Sequence, residues 1–456
     1  RSSLVTGVQT CALPILIEGD GLNSVNKFKT NTLQIKLGQD IGESLKIKIN
    51  ARYYTQLIDN IAPNSLSGET FTSEDNINFT ISHNSEKIRT DFEVYFTSYF
   101  GDEFLDDEQG NRFSESFYDQ IFLKPEIKTV YKINNKKEFV FGLGNEYETL
   151  NRTYFEIEPK QNSPFIYFQY DYNPNEKINL ILGGRFDKYK EYKSQVSPKF
   201  SGIYKIQNNE SIKISTGYGY KTPDFRQLYF NFSNSTVGYT VIGYNVVEDV
   251  LNQLIDEGQI ANIIVPIDEF EDPLSPENSF GVNLGYNSDI NEKISLSANI
   301  FSNSAKNLID YRVIANKTNG QNVFSYYNVN NVSTYGFEIQ TKFKADNFLN
   351  YSLGYQLLYA YDLDAREAFD NGEIYARLTP SSPAFRLNKS DYFGLYNRSR
   401  HMGTFKINYN NLEKKFSANL RLRYRSKYGL YDSNSNNYLD KYDMFVKGHF
   451  TANISV

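Results

Sequence analysis

Arg421, Arg423 and Arg425 occupy every second position of the stretch FSANLRLRYRSKYG. In an extended chain this spacing sends three guanidinium groups to one face. Such a ladder steers anions through its long-range field, and a solvated wall that must be polar somewhere would use the same residues. A second set, Arg226, Tyr229, Tyr239 and Tyr244, falls in the long segment Lys221 to Asn278. Aromatic and basic side chains on a loop held by a rigid support suit ligand contact. The plainer use of this segment is that Pro223, Phe225 and Leu228 fold it against that support. Acidic GDEFLDDEQGN, Gly101 to Asn111, offers oxygen donors to a cation. It lacks EF-hand spacing, and a solvated loop accounts for its charge.

Catalysis finds no foothold in these residues. His83, His401 and His449 lie far apart without ligand spacing. We find no nucleophile beside a base, no GxSxG and no phosphate-binding glycine loop. The chain reads as a non-enzyme with no metal centre and no cofactor.

Cys11 is the only cysteine among 456 residues. It sits in VTGVQTCALPI, Val5 to Ile15, which back-translates into a sequencing adapter, so residues 1–15 are expected to be an artefact. On that reading the native chain begins at about Leu16, and a disulfide framework and thiolate metal sites are excluded. The net charge of −6 provides no basic footprint for nucleic acid.

The elements that must position these residues are strands. The chain holds 37 Tyr and 34 Phe but no Trp, and aromatic residues favour strands. Phe416, Ala418, Leu420, Leu422 and Tyr424 alternate with the arginine face. Tyr351, Leu353, Tyr355, Leu357, Tyr359 and Tyr361 share one face, as do Tyr335, Phe337, Ile339 and Phe343 against Glu338, Gln340 and Lys342. One helical stretch stands out, VVEDVLNQLIDEG, with Val247, Leu251 and Leu254 on one side. No run of apolar residues is long enough for a membrane helix, whereas a membrane strand needs only about 10 residues with one apolar face.

Polar turns at GQDIGES, HNSEK, INNKKE, NPNEK, QNNES, NSDINEK, KADNFLN and NNLEKK pair these strands into eight hairpins. MFVKGHFTANISV adds one more strand. Between hairpins the connections are mostly long: Asp59 to Asn76, Gly101 to Gln120, Lys221 to Asn278, Asn303 to Val332 and Asp362 to Arg400. Tight turns at one end, long loops at the other and an alternating wall describe an all-β, transmembrane, antiparallel up-and-down β-barrel. Aromatic clusters such as FTSYFG and IYFQYDYNP suit its girdles, although β-propensity alone explains part of that enrichment.

The stretch Ser197 to Phe230, SPKFSGIYKIQNNESIKISTGYGYKTPDFRQLYF, resembles TonB-dependent outer-membrane receptors. Their Ser-Pro-Lys/Arg-Phe hairpin is followed by a Gly-aromatic stretch that ends in Lys/Arg-x-Pro-x-hydrophobic. LSPENSFGVNLGY, Leu274 to Tyr286, and NVNNVSTYGFEIQTKF, Asn328 to Phe343, are similar to two later strands of that family. Together with the strand pattern, the resemblance covers nearly all of Leu16 to Val456.

The resemblance implies a barrel of about 22 strands, of which the turns account for about 17, with roughly three missing before Leu33 and two after Val456. A plug that contacts TonB in the periplasm is not among the residues read here, so the chain is expected to be a gene fragment unable to transport alone. The family implies outer-membrane lipid, the TonB complex and a small or medium nutrient ligand as partners, with ferric siderophores or cobalamin as cargo. It also implies a Gram-negative outer membrane, and ion pairs from Arg421, Arg423 and Arg425 to the plug. The alternative is a passive channel or surface-binding barrel without energy coupling.

Overall fold

The computed structural model describes residues 15–17, 26–62, 65–234, 238–329, 331–379, 381–411, 413, 415–434, 436 and 438–456. The adapter-like segment and its Cys11 lie outside the described residues, apart from Ile15. A single antiparallel up-and-down sheet of 17 strands runs through the rest. Its strands are β1 (Phe28–Ile41), β2 (Leu45–Ala62), β3 (Leu66–Asn84), β4 (Ile88–Asp106), β5 (Arg112–Asn134) and β6 (Lys137–Arg152). Next come β7 (Lys160–Asn175), β8 (Ile178–Asp187), β9 (Gln195–Gln207), β10 (Glu210–Lys221), β11 (Glu277–Asp289) and β12 (Ile294–Lys306). The last are β13 (Val332–Lys344), β14 (Leu349–Asp362), β15 (His401–Asn411), β16 (Phe416–Arg425) and β17 (His449–Ser455).

Each strand pairs with the next, and all eight hairpins turn within the polar stretches of five to seven residues that required it. The turns close through side chains that stand in for backbone acceptors. Asn175 Oδ1 accepts from the Lys177 and Ile178 amides at 2.9 and 3.1 Å. Asn291 serves Lys293 and Ile294 in the same way, and Asp346 serves Phe348 and Leu349. A short strand, Ile15–Ile17, lies against β1, and among the described residues β1 and β17 do not pair, so the sheet is open.

Register sorts the side chains onto two faces. Tyr335 opposes Tyr359, Phe337 opposes Leu357 and Ile339 opposes Tyr355, whereas Glu338 opposes Gln356 and Lys342 opposes Ser352. The apolar rows stay exposed, with Leu353 at 61%, Ile300 at 62% and Phe168 at 51%. A wall with exposed Leu, Ile and Phe in long continuous rows needs a hydrocarbon surrounding, not a second sheet. Aromatic pairs sit toward both ends of this outer face: Phe139 stacks on Tyr170 at 4.5 Å near the tight turns, and Tyr335 on Tyr359 at 5.4 Å near the loops.

The expected long loops at 59–76 and 101–120 are instead largely strand. β3, β4 and β5 run for 19, 19 and 23 residues, well past the about 10 needed to cross a bilayer. Above the membrane water wets both faces, so the ladder continues without the apolar alternation that marks a strand in sequence.

The buried apolar residues lie chiefly at the loop end. Ile242, Val247, Leu251, Ile314 and Val323 form one cluster, and Ala365, Phe369, Leu387 and Tyr392 another. They belong to a cap built from α1 (Phe225–Tyr229), α2 (Val247–Asp256), α3 (Leu363–Asn371) and a small five-stranded sheet. That sheet joins the 222–276 and 307–331 loops, with Tyr239–Ile242 running parallel to Asn322–Ser325. The helix expected in VVEDVLNQLIDEG is α2, with Val247 and Leu251 buried and Leu254 packed against the same cluster.

Candidate functional site

The inner, polar face carries two electrostatically different regions. Across β2 to β8 Arg52, Lys124 and Arg185 are matched by carboxylates. Arg52 meets Glu74 at 2.6 Å, and Lys124 lies 3.6 Å from Glu126 and 3.4 Å from Glu146. Arg185 reaches Glu146 at 3.4 Å and grips Asp187 at 2.7 Å. Tyr167 donates its hydroxyl to Glu126, and Asn78 its amide to Glu93. These contacts involve all seven strands from β2 to β8, and they account for those polar residues without any ligand.

Across β15 to β17 the match fails. Arg421 opposes Lys406 on β15 and Asn453 on β17, and Arg423 opposes Thr404 and Thr451. Neither enters an ion pair among the described residues. With Lys406, Glu338 and Gln356 they line a polar groove of about 520 Å³. Arg421 Nε and Gln356 Oε1 are buried there without a partner. Arg425 shares their face but has another task. Its guanidinium donates to Ser399 Oγ at 2.8 Å and to the Asn397 carbonyl at 2.7 Å, and it lies 3.8 Å over the Tyr428 ring. The strand alternation that aligned three arginines was blind to this, because Arg425 is at the strand end where a loop returns over it.

The rim set is likewise divided by the cap. Pro223 precedes a capping box in which Asp224 accepts from the Gln227 amide at 2.8 Å and Gln227 Oε1 accepts from the Asp224 amide at 2.9 Å. The five-residue α1 that follows buries Phe225 and Leu228 and leaves Arg226 exposed and Tyr229 half-buried. The folding use weighed for this segment is thus met by Phe225 and Leu228, while Arg226 stays exposed on the other side of the same turn. Burial pushes the Tyr229 phenol above its ordinary range, and a hydrogen bond with Asn245 works against that. Tyr239 is half-buried, its ring set edge-on to Phe324 and Phe232. Tyr244 is enclosed, its hydroxyl donating to the Glu269 carbonyl at 3.0 Å.

Sequence reading missed the neighbours that complete this rim. The Arg152 guanidinium lies 5.0 Å over Phe230 and 5.7 Å over Phe155. Tyr154 holds a left-handed backbone, φ 74°, while its carbonyl accepts from the Asn231 amide at 2.8 Å and its ring packs edge-on to Phe232. A bulky residue in that conformation is uncommon and marks a segment held by its surroundings. The signal available was the sequence RTYFE at the end of β6, an arginine with two aromatics within three residues.

No three His, Cys, Asp or Glu side chains among the described residues gather into a metal-holding group. The acidic turn at Gly101 to Asn111 closes on itself: Asp107 Oδ1 accepts from the Asn111 and Gln109 amides at 2.8 and 3.0 Å.

An open antiparallel wall with an apolar outer face, a charged inner face and a folded loop cap defines an outer-membrane β-barrel. The family model "TonB dependent receptor-like, beta-barrel" matches residues 15–456, and the chain belongs to that family. It is similar in fold to the siderophore receptor PirA from Acinetobacter baumannii, with 12% identity and TM-score 0.61, covering 94% of this chain and 64% of that one. A ferric enterobactin receptor mutant, PfeA, from Pseudomonas aeruginosa matches at 11% identity and TM-score 0.65, covering 94% and 62%. The FrpB iron transporter from Neisseria meningitidis matches at 11% and 0.60, covering 98% and 68%. This chain thus spans about two thirds of the length of these structures or slightly less. No curated protein matches it in sequence.

Proposed function

We propose that this chain is the barrel wall of a Gram-negative outer-membrane receptor for TonB-energised uptake of a scarce anionic nutrient complex, a ferric siderophore in the first instance and cobalamin in the second. The observation that carries this reading is the set of Lys406, Arg421 and Arg423 on the inner face. In contrast to Arg52, Lys124 and Arg185, these cations form no ion pair among the described residues, although Glu338 lines the same groove. Groups supplied from outside the wall must complete them: carboxylates of an inserted plug at rest, and the anionic ligand in passage.

Arg226, Tyr229 and Tyr239 serve as ligand contacts at the mouth, with Arg152 and Phe230 beside them. Arg425 keeps the last loop seated. Tight capture at the mouth and release on the far side require work on the plug, because a ligand alone shifts an equilibrium only by its differential affinity.

The test is uptake by cells that express the complete gene in place of their own siderophore receptors, with and without TonB. Accumulation of labelled ferric siderophore should stop without TonB and fall in the Arg421→Gln, Arg423→Gln double variant. Equal accumulation with and without TonB would mean a passive channel. Accumulation of cobalamin alone would move the cargo to the second choice.

A further inference from the structure

The outer, apolar face of the wall sinks along β12. Its small residues Ala298 and Ser302 oppose larger ones on both sides, Tyr286 and Val282 on β11 and Ile339 and Tyr335 on β13. Between them Ile300 stands 62% exposed, opposed by Leu284 and Phe337. The result is an apolar groove of about 790 Å³ whose flanks include Ile212, Leu284, Phe337, Ile339 and Leu357. Loose hydrocarbon would fill such a groove by itself. The residues at its upper end add a demand that hydrocarbon does not meet.

The groove runs up to Tyr335 and Tyr359, stacked at 5.4 Å, and the Tyr361 ring follows at 6.1 Å from Tyr359. Tyr359 and Tyr361 come at the end of β14, past the about 10 residues that cross a bilayer, at the level of the lipid headgroups. Two guanidinium groups lie against these rings: Arg400 is 5.6 Å over Tyr359, and Arg366 of α3 is 5.0 Å over Tyr361. Across β13, β12 ends in exposed Lys306, which alternation places on the same face as Ala298, Ile300 and Ser302. None of these three cations forms an ion pair among the described residues. The acids near them are used otherwise. Asp362 caps α3 by accepting from the Asp364 and Ala365 amides, Asp364 accepts from the Asn331 side chain, and Glu367 stays exposed on α3.

We propose that this surface holds one phosphorylated lipid of the outer leaflet, with its phosphate between Arg366, Arg400 and Lys306 and an acyl chain in the β12 groove. Planar guanidinium groups match phosphate oxygens with paired donors, and the long Lys306 side chain reaches headgroup level from a strand end. Arg400 donates to the Phe393 carbonyl at 3.0 Å, which fixes it beside the girdle. A membrane-spanning protein partner would set apolar side chains against these cations, whereas a phosphate supplies the counter-charge that the wall lacks. The proposal concerns the outer face alone and stands whatever cargo the inner face passes.

The experiment is native mass spectrometry of the full chain refolded in detergent with dimyristoyl phosphatidic acid, and separately with phosphatidylcholine of the same chains. One phosphatidic acid should be retained at least about tenfold more strongly than phosphatidylcholine. The Lys306→Gln, Arg366→Gln double variant should bring the two lipids level. It leaves Arg400 and its loop contact intact, so it keeps the test decisive if an Arg400 variant does not fold. Ala298→Phe fills the groove without touching a charge and should also lower retention of phosphatidic acid. Lys190→Gln, at a loop cation 91% exposed, should leave retention unchanged. Equal retention of both lipids by the wild type would overturn the proposal, as would undiminished selectivity in the double variant. Displacement of the lipid by excess inorganic phosphate would also overturn it, because the site would then hold a free anion.

Discussion

Arg421 stands directly across the β15–β16 ladder from Lys406, two cations on one inner face. Like charges at opposed positions of a sheet destabilise it by about 0.2–1 kcal/mol. Arg421→Gln should therefore raise the unfolding temperature slightly while weakening retention of a polyanion. Thermal unfolding and anion binding measured at low and high salt on the same sample check both, since screening should erase the binding difference.

The opposite outcome is expected in the matched belt. Asp187 is 1% exposed and receives both Nε and Nη2 of Arg185, at 2.9 and 2.7 Å. Asp187→Asn leaves that half-buried guanidinium with Glu146 as its remaining carboxylate and should cost about 2 kcal/mol, the loss of charged hydrogen bonds. Denaturant unfolding followed by strand circular dichroism reads this loss. A change below about 0.5 kcal/mol would mean that water replaces the carboxylate freely.

Asp224 caps α1 and so sets where Arg226 and Tyr229 sit. Asp224→Ala should cost about 1 kcal/mol and show as faster hydrogen exchange confined to Phe225–Tyr229 and their packing partners. Ligand affinity should fall with it, while the melting of the wall stays put.

Asp107 gives a pH dependence whose sign follows from its partners. Hydrogen bonds from the Asn111 main chain and side chain, with smaller ones from Gln109 and Gly110, hold its carboxyl below the ordinary carboxylate value. A group depressed in the folded state contributes order that is present above the unfolded pKa of about 3.9 and is lost as pH falls through the folded value. Protection of the Gln109 and Asn111 amides should thus persist at pH 5 and fade at more acid pH, and Asp107→Asn should remove that transition.

Period-two alternation was sufficient to place the wall. Tyr335, Phe337 and Ile339 had to leave one face and Glu338 and Gln340 the other, because successive side chains of a strand point to opposite sides. Eight polar turns fixed the pairing for a similarly local reason, since Asn175, Asn291 and Asp346 close their own turns. Family membership was legible in Ser197 to Phe230 because Pro223, Asp224 and Phe225 build a cap and a buried foot within a few residues.

Tertiary structure alone decided the rest. The alternation in FSANLRLRYR treats Arg421, Arg423 and Arg425 alike, but only the returning loop ties Arg425 to Ser399 and Asn397 and leaves the other two unmatched. In TVIGYNVV, nothing in the local pattern separates Tyr244, enclosed against Glu269, from Tyr239, half open in the cap. Strand direction is set by neighbours along the chain, so sequence suffices for it. Whether a charge finds its counter-charge depends on residues tens to hundreds of positions away, and only the folded chain brings those together.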